Sequence, residues 1–222
     1  MSFEDKVFAA KLYPAGATTN SDSGVKDIKK IMPVLETMSE IGMPLLIHGE
    51  VTDKEIDIFD REKYFIDEEL YQIRNTFKNL KIVLEHVSSD YGVDFVNSNQ
   101  NIAGTITPHH MLLTKDDVFK NEEINPHHYC MPVVKNEKDL IALRKAACVD
   151  NNKFFLIVFM LFKSSKLNKA TLVSAGFSIN LSEHCENNPN IPSEPTNNFF
   201  ISGPIAFFIS LLSWLYNVPS PP

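Results

Sequence analysis

Two spacings of apolar residues alternate along the first 155 positions of the chain. Short apolar runs are typical of buried parallel strands. Residues that recur every three or four positions between these runs are typical of helices packed on a sheet. The predicted strands are Val7 to Leu12, Pro44 to Ile47, Lys81 to Leu84, Ile102 to Ile106, His128 to Val134 and one that starts at Lys153 and includes Leu156. Strands that alternate with helices predict βαβ units and a parallel sheet.

The helical stripes and their boundaries are also readable. One stripe comprises Ile28, Ile31, Leu35 and Met38, and a second comprises Ile66, Leu70, Ile73, Phe77 and Leu80. Gly42 followed by Pro44 predicts the end of the first helix. Ser89 and Asn136 are predicted N-caps, the first for a short helix through Val96 and the second for a helix to about Cys148. We interpret the second stripe as core packing.

The pattern changes after about residue 156. From residue 154 to the end, the sequence contains no Asp and no Arg, yet it holds nine of the sixteen Phe residues. The stretch Phe199 to Val218 carries no charge and has the length of a membrane-spanning helix. An Asn-, Pro- and Ser-rich segment, HCENNPNIPSEPTNN, precedes it and predicts loop or disorder. The sequence thus predicts two parts, residues 1–156 and a divergent tail, residues 157–222.

Composition narrows the function classes. The chain has 222 residues, of which 44% are hydrophobic and 22% charged, and a formal net charge of −7. That charge argues against a nucleic-acid surface, which needs clustered Lys and Arg. The first residues, MSFEDKVFAAK, do not form a signal peptide, so we predict a cytoplasmic protein. A complete eight-unit α/β barrel needs about 250 residues.

Three residues lie where predicted strands end. Lys11, His48 and His86 follow or finish apolar runs. In an α/β barrel the carboxyl ends of the strands form the face that carries the active site, so these side chains are candidate metal ligands. Each also has a plainer interpretation, since a lysine there can simply reach solvent and a histidine can be a hydrogen-bonded structural residue.

Six segments in fixed order resemble the shorter, single-function bacterial type of dihydroorotase, a zinc amidohydrolase. They lie within the stretch from Ala9 to Phe155, about two thirds of the chain, to which the resemblance applies. They are KLYPAGATTNSDSGV, IMPVLETMSEIGMPLLIHGEV, DIFDREKYFI, LEHVSS, ITPHH and HHYCMPV. The resemblance implies a partial (β/α) barrel of TIM type with about six of its eight strands.

The resemblance also implies a two-zinc site and its ligands. Zinc ions lower the pKa of a bound water and polarise a carbonyl, which opens a cyclic amide. Lys11 would be a carbamylated lysine bridging both ions, and His48 and His86 would bind the second zinc. Thr18 and Thr19, in a loop that closes over substrate, and the backbone of Met131 would contact the substrate. Glu50 and Glu85, next to the histidines, are expected to support them.

The chain also departs from the family pattern. Family members start with a His-x-His strand that binds the first zinc, and this sequence contains no His-x-His. Where they continue from Phe-Phe-Leu into Gly-Thr-Asp-Ser-Ala-Pro-His, Phe154-Phe155-Leu156 runs into IVFMLFKSSK. The aspartate that serves as general acid and base therefore has no counterpart, so no catalytic residue is assigned. We expect at most one zinc site, partly retained, in an inactive fragment.

The expected family reaction is reversible hydrolysis of dihydroorotate to N-carbamoyl-aspartate in pyrimidine biosynthesis. The partner would be this small substrate, with no nucleic acid and no membrane, and the resemblance suggests a homodimer. One alternative is another cyclic amidohydrolase of hydantoinase type. The other is a non-catalytic, tail-anchored membrane protein that retained part of the barrel. A shifted reading frame or translated intron explains the tail better, because Gly203-Pro204 interrupts the apolar run and flanking Lys or Arg are absent.

Overall fold

A computed structural model describes residues 7–18, 20–120, 123–149 and 153–156. Helices separate the successive strands of its main sheet. The strands are β1 (Ala10–Leu12), β2 (Leu45–His48), β3 (Ile82–Glu85), β4 (Ile102–Ile106), β5 (Phe119–Lys120), β6 (Glu123–Ile124) and β7 (Phe154–Leu156). The α-helices are α1 (Met32–Ile41), α2 (Arg61–Phe65), α3 (Tyr71–Thr76), α4 (Asp90–Ser98), α5 (Pro108–Leu112), α6 (Lys115–Val118) and α7 (Glu137–Cys148). A 3-10 turn, Ile28–Ile31, precedes α1, and a π-helical turn, Ile66–Leu70, joins α2 to α3.

Five strands form one parallel sheet in the order β1-β2-β3-β4-β7. Each strand of this sheet lies beside the next of its five strands along the chain, with helices in the connections, as in a (β/α) barrel. The register pairs Lys11 with Leu46 and His48 with Glu85. All five carboxyl ends therefore lie at one edge of the sheet, where a barrel of this type carries its active site. The predicted fold class, a partial α/β barrel, is confirmed.

The central strands are buried on both faces. Ile82, Val83 and Leu84 of β3 have no exposed surface, and every residue of β4 is buried. The predicted stripe lies on the π-helical turn, on α3 and just beyond α3. It packs on this sheet, since Ile66, Leu70, Ile73 and Leu80 are also fully buried and Phe77 is half-buried. The interpretation of that stripe as core is confirmed.

The predicted cap residues begin or end their helices as expected. Gly42 adopts a left-handed conformation with φ of 71°, and its N–H donates to the carbonyl of Met38. The Ser89 side chain accepts from the N–H of Gly92 at the start of α4. The Asn136 side chain caps α7, and Asp139 completes a capping box.

One predicted strand is wrong. The segment His128 to Val134 forms a turn and irregular chain, although Val133 and Val134 are buried, so the described sheet has five strands rather than six. Pro132 has no N–H to donate to a ladder, and its carbonyl accepts from the His110 side chain instead. The sequence interpretation also missed the antiparallel pair of β5 and β6.

The predicted tail, residues 157–222, lies outside the described residues, as does the apolar run Phe199 to Val218. Within the described ranges, no helix has both the length and the apolar character needed to cross a membrane.

Candidate metal centre

Three neighbouring strands deliver the candidate ligands to one edge of the sheet. Lys11 lies in β1, His48 ends β2, and His86 directly follows β3. His48 is almost fully buried, whereas Lys11 keeps about a third of its side chain exposed, at 38%. All three residues predicted from the strand ends therefore lie at one edge of the sheet, and His48 and His86 are in contact there.

The two histidine rings face each other through one nitrogen each. His48 Nδ1 lies 3.1 Å from His86 Nε2, and the rings meet edge to face with centroids 4.7 Å apart. His48 Nε2 lies 2.9 Å from a carboxylate oxygen of Glu50. A carboxylate only accepts, so Nε2 of His48 donates and its Nδ1 presents a lone pair toward His86 when the ring is neutral.

The short segment His48-Gly49-Glu50 makes this pair possible. On an extended chain, residues two apart lie on the same side, so the sequence His-x-Glu at a strand end could have predicted the contact. Gly49 leaves room between them, because a Cβ there would lie 2.5 Å from Leu84 Cδ1 and the Leu84 side chain would have to shift. Glu50 is 1% exposed, and its other oxygen has no hydrogen-bond partner among the described residues.

His86 is held in an uncommon backbone conformation. Its φ is 43°, in the left-handed region that costs a non-glycine residue about 1–3 kcal/mol. The His86 N–H donates to Thr105 Oγ1 at 2.7 Å, and the next N–H, of Val87, donates to the Thr105 carbonyl at 2.8 Å. Burial, followed by the charges of His48, Lys11 and His110, holds the pKa of His86 well below its usual value. The ring is therefore neutral near pH 7, the form that binds metals.

Lys11 forms an ion pair with Glu85, the last residue of β3. Burial lowers the pKa of the Lys11 amine to about 8. The Lys11 amine is therefore neutral more often near physiological pH than the amine of an ordinary lysine, and a neutral amine is a nucleophile.

The donor geometry fits zinc. Two imidazoles bound tetrahedrally at about 2.0–2.1 Å would hold their nitrogens about 3.3 Å apart. The observed 3.1 Å is close to that value, and it is also the length of an N–H···N hydrogen bond. The carboxylate behind His48 is the arrangement that orients metal-binding histidines. Among the described residues, no group of three His, Cys, Asp or Glu side chains forms a ready metal site, so Lys11 would have to contribute.

Thr18 and Met131, two of the remaining predicted site residues, lie in loops. Thr18 is exposed, and its N–H donates to Ser21 Oγ at 2.9 Å. Thr19 falls outside the described residues. Met131 is half-buried in the irregular segment before α7, and the following carbonyl, of Pro132, accepts from His110 Nε2 at 3.0 Å. His109 and His110 lie in α5.

No family model matches the chain. The dihydroorotase of Shewanella oneidensis is 56% identical over 152 residues, which are 68% of this chain and 44% of that protein. The crystal structure of a dihydroorotase from Campylobacter jejuni is 39% identical with a TM-score of 0.63, covering 69% of this chain and 44% of its own. The L-hydantoinase of Arthrobacter aurescens, 17% identical with a TM-score of 0.52 over 66% of this chain and 36% of its own, shares the fold alone.

These similarities decide between the sequence hypotheses. The predicted resemblance to dihydroorotases is confirmed, and the hydantoinase alternative is not favoured because its identity is so much lower. The chain spans 44% of the length of the curated relatives it matches. Over about two thirds of its own length, this chain is a homologue of the dihydroorotases.

Proposed function

We propose that this chain carries the Lys11, His48 and His86 part of a dihydroorotase metal centre. The observation that carries the proposal is the convergence of His48 Nδ1 and His86 Nε2, 3.1 Å apart, with Glu50 fixing the proton on the far side of His48. A purely structural histidine pair would not need both rings aimed at one point beside a lysine of lowered pKa.

Each residue of the proposed site has its own role. His48 and His86 would hold one zinc ion through their ring nitrogens. Lys11, once carbamylated by carbon dioxide, would supply a negative oxygen in place of a repelling ammonium. A bound zinc pair would supply Lewis acidity and an activated water. Thr18, Thr19 and the backbone of Met131 orient the substrate by hydrogen bonds, and loop closure at the two threonines excludes bulk water.

The reaction that we propose for the complete site is the reversible hydrolysis of dihydroorotate to N-carbamoyl-aspartate, in a cytoplasmic enzyme that is a homodimer. The proposal follows from the 56% identity to proteins named dihydroorotase. The 222 residues lack a His-x-His and the aspartate expected after Leu156, so they lack the first zinc's ligands and the proton-transfer group. We expect the chain as written to bind metal without turning over dihydroorotate.

Calorimetric titration with zinc chloride tests the metal site. We expect the wild-type chain to bind zinc, and His48→Ala or His86→Ala to weaken binding by more than about tenfold because each removes a ligand. His127→Ala is the matched control, since that histidine is exposed in a turn and should not change affinity. Equal zinc affinity in all four proteins would refute the site.

A further inference from the structure

Three buried polar side chains form a hydrogen-bonded cluster next to the chain that follows His86. Glu62 of α2 and Ser88 are almost fully buried, at 1% and 0% exposure, and Lys135 is 6% exposed. Burying two opposite charges is costly unless their hydrogen bonds are satisfied. These three residues come from separate parts of the chain, so their association is a tertiary feature.

Glu62 binds the chain just after His86. One carboxylate oxygen accepts from the Ser88 N–H at 2.8 Å and from Ser88 Oγ at 2.7 Å. The other accepts from the hydroxyl of Ser89. Three donors from two consecutive residues therefore converge on one carboxylate. Gly92 allows this approach, because a Cβ there would lie 2.5 Å from Glu62 Oε1.

Ser88 also links Glu62 to the segment that follows Met131. Lys135 Nζ donates to Ser88 Oγ at 2.6 Å, so the same hydroxyl accepts from Lys135 and donates to Glu62. Lys135 is four residues beyond Met131 and immediately precedes Asn136, the N-cap of α7. The Ser88 hydroxyl thus joins α2, the loop after β3 and the chain leading to α7.

We propose that Glu62 is a positioning residue for His86, acting through Ser88. His86 needs such a constraint, because its left-handed φ of 43° persists only where the surroundings determine it. Thr105 fixes the N–H groups of His86 and Val87 on the sheet side, and Glu62 fixes Ser88 on the helix side. Together they clamp the backbone on both sides of the turn that aims Nε2 of His86 at His48. This inference rests on the proposed metal site.

The test compares Ser88→Ala, Glu62→Gln and Glu62→Ala with a control that weakens the fold elsewhere. Lys153→Met is that control, because Lys153 Nζ donates to the carbonyls of Val96, Asn97 and Asn99 at the far end of α4. Two quantities are measured on the full chain: the zinc dissociation constant by chelator competition, and amide hydrogen exchange at His86 and Val87 without metal.

We expect Ser88→Ala and Glu62→Ala to raise the zinc dissociation constant by about 10- to 100-fold, the usual effect of removing a group that orients a metal ligand. Glu62→Gln keeps an acceptor oxygen and should lose less. Exchange at His86 and Val87 should rise at least about tenfold in the first two variants because a charge-assisted hydrogen bond to the adjacent turn is lost. Lys153→Met should lower the urea midpoint while leaving zinc affinity and local exchange unchanged.

The outcomes separate the two proposals. If the wild-type chain does not bind zinc, the proposed metal site is wrong. Amide hydrogen exchange at His86 and Val87 then decides by itself whether Glu62 positions the turn. If zinc binds but Ser88→Ala and both Glu62 variants keep wild-type affinity and exchange, the positioning role is wrong. Should Glu62→Ala fail to fold, Ser88→Ala still decides, since it removes a single hydroxyl.

Discussion

Among single residues, Lys11 allows the most specific chemical prediction, because its environment changes the pKa of its amine. Only the neutral amine adds to carbon dioxide, and burial lowers the pKa of Lys11 to about 8, so the reactive form becomes available at lower pH than for an ordinary lysine. We expect a carbamate signal from carbon-13-labelled bicarbonate, read by nuclear magnetic resonance, to rise as pH increases through about 8 and to grow when zinc is present.

Lys11→Arg is the control for that labelling. Arginine keeps the ion pair with Glu85 and stays charged at every accessible pH, so the signal assigned to Lys11 should disappear. A signal that persists in Lys11→Arg, or one that begins to rise only near the ordinary lysine pKa, would contradict the assignment.

Some residues of the candidate site could be predicted from the sequence and others could not. Lys11, His48 and His86 were predicted because a strand end is visible as the end of an apolar run. Glu62 was not, since it lies at a polar position of a helix and reads as solvent-facing. Its partner Ser88 is 26 residues away, and no local spacing reports a contact of that kind.

At the level of elements, the cap of α7 offers a direct test of a sequence-based assignment. The Asn136 side chain accepts a hydrogen bond from the N–H of Lys138. In turn, the Asn136 N–H donates to the Asp139 carboxylate. We expect Asn136→Ala to lower the free energy of unfolding by about 0.5–2 kcal/mol, measured by urea denaturation. Asn136→Ser keeps a capping oxygen and should retain most of that stability. A loss as large in Asn136→Ser as in Asn136→Ala would show that capping is not the reason.

Elements were predictable where local chemistry decides them. Gly42, Ser89 and Asn136 each end or begin a helix through a bond within a few residues, and all three assignments are confirmed. The segment His128 to Val134 was wrongly predicted as a strand. Val133 and Val134 are buried without joining the sheet, and in the sequence a short buried apolar segment looks the same as a strand. The short pair of β5 and β6 carries too few residues to show an alternating pattern.

For the whole molecule, the decisive question is whether the described sheet is a working part of a dihydroorotase. We predict that residues 9–156, joined to the parts of the Shewanella oneidensis dihydroorotase that lie outside its matched stretch, will hydrolyse dihydroorotate. The relative would supply the His-x-His and the aspartate that this sequence lacks, and the shared 56% identity makes compatible packing across the joins the expected result.

Turnover should be lost when His86→Ala is added to the chimera, because a zinc ligand is removed. The unmodified 222-residue chain, assayed beside it, should show none. A chimera that folds and binds zinc yet leaves dihydroorotate intact would mean that the strands and ligands were inherited without the reaction, and the proposed function would then have to be given up.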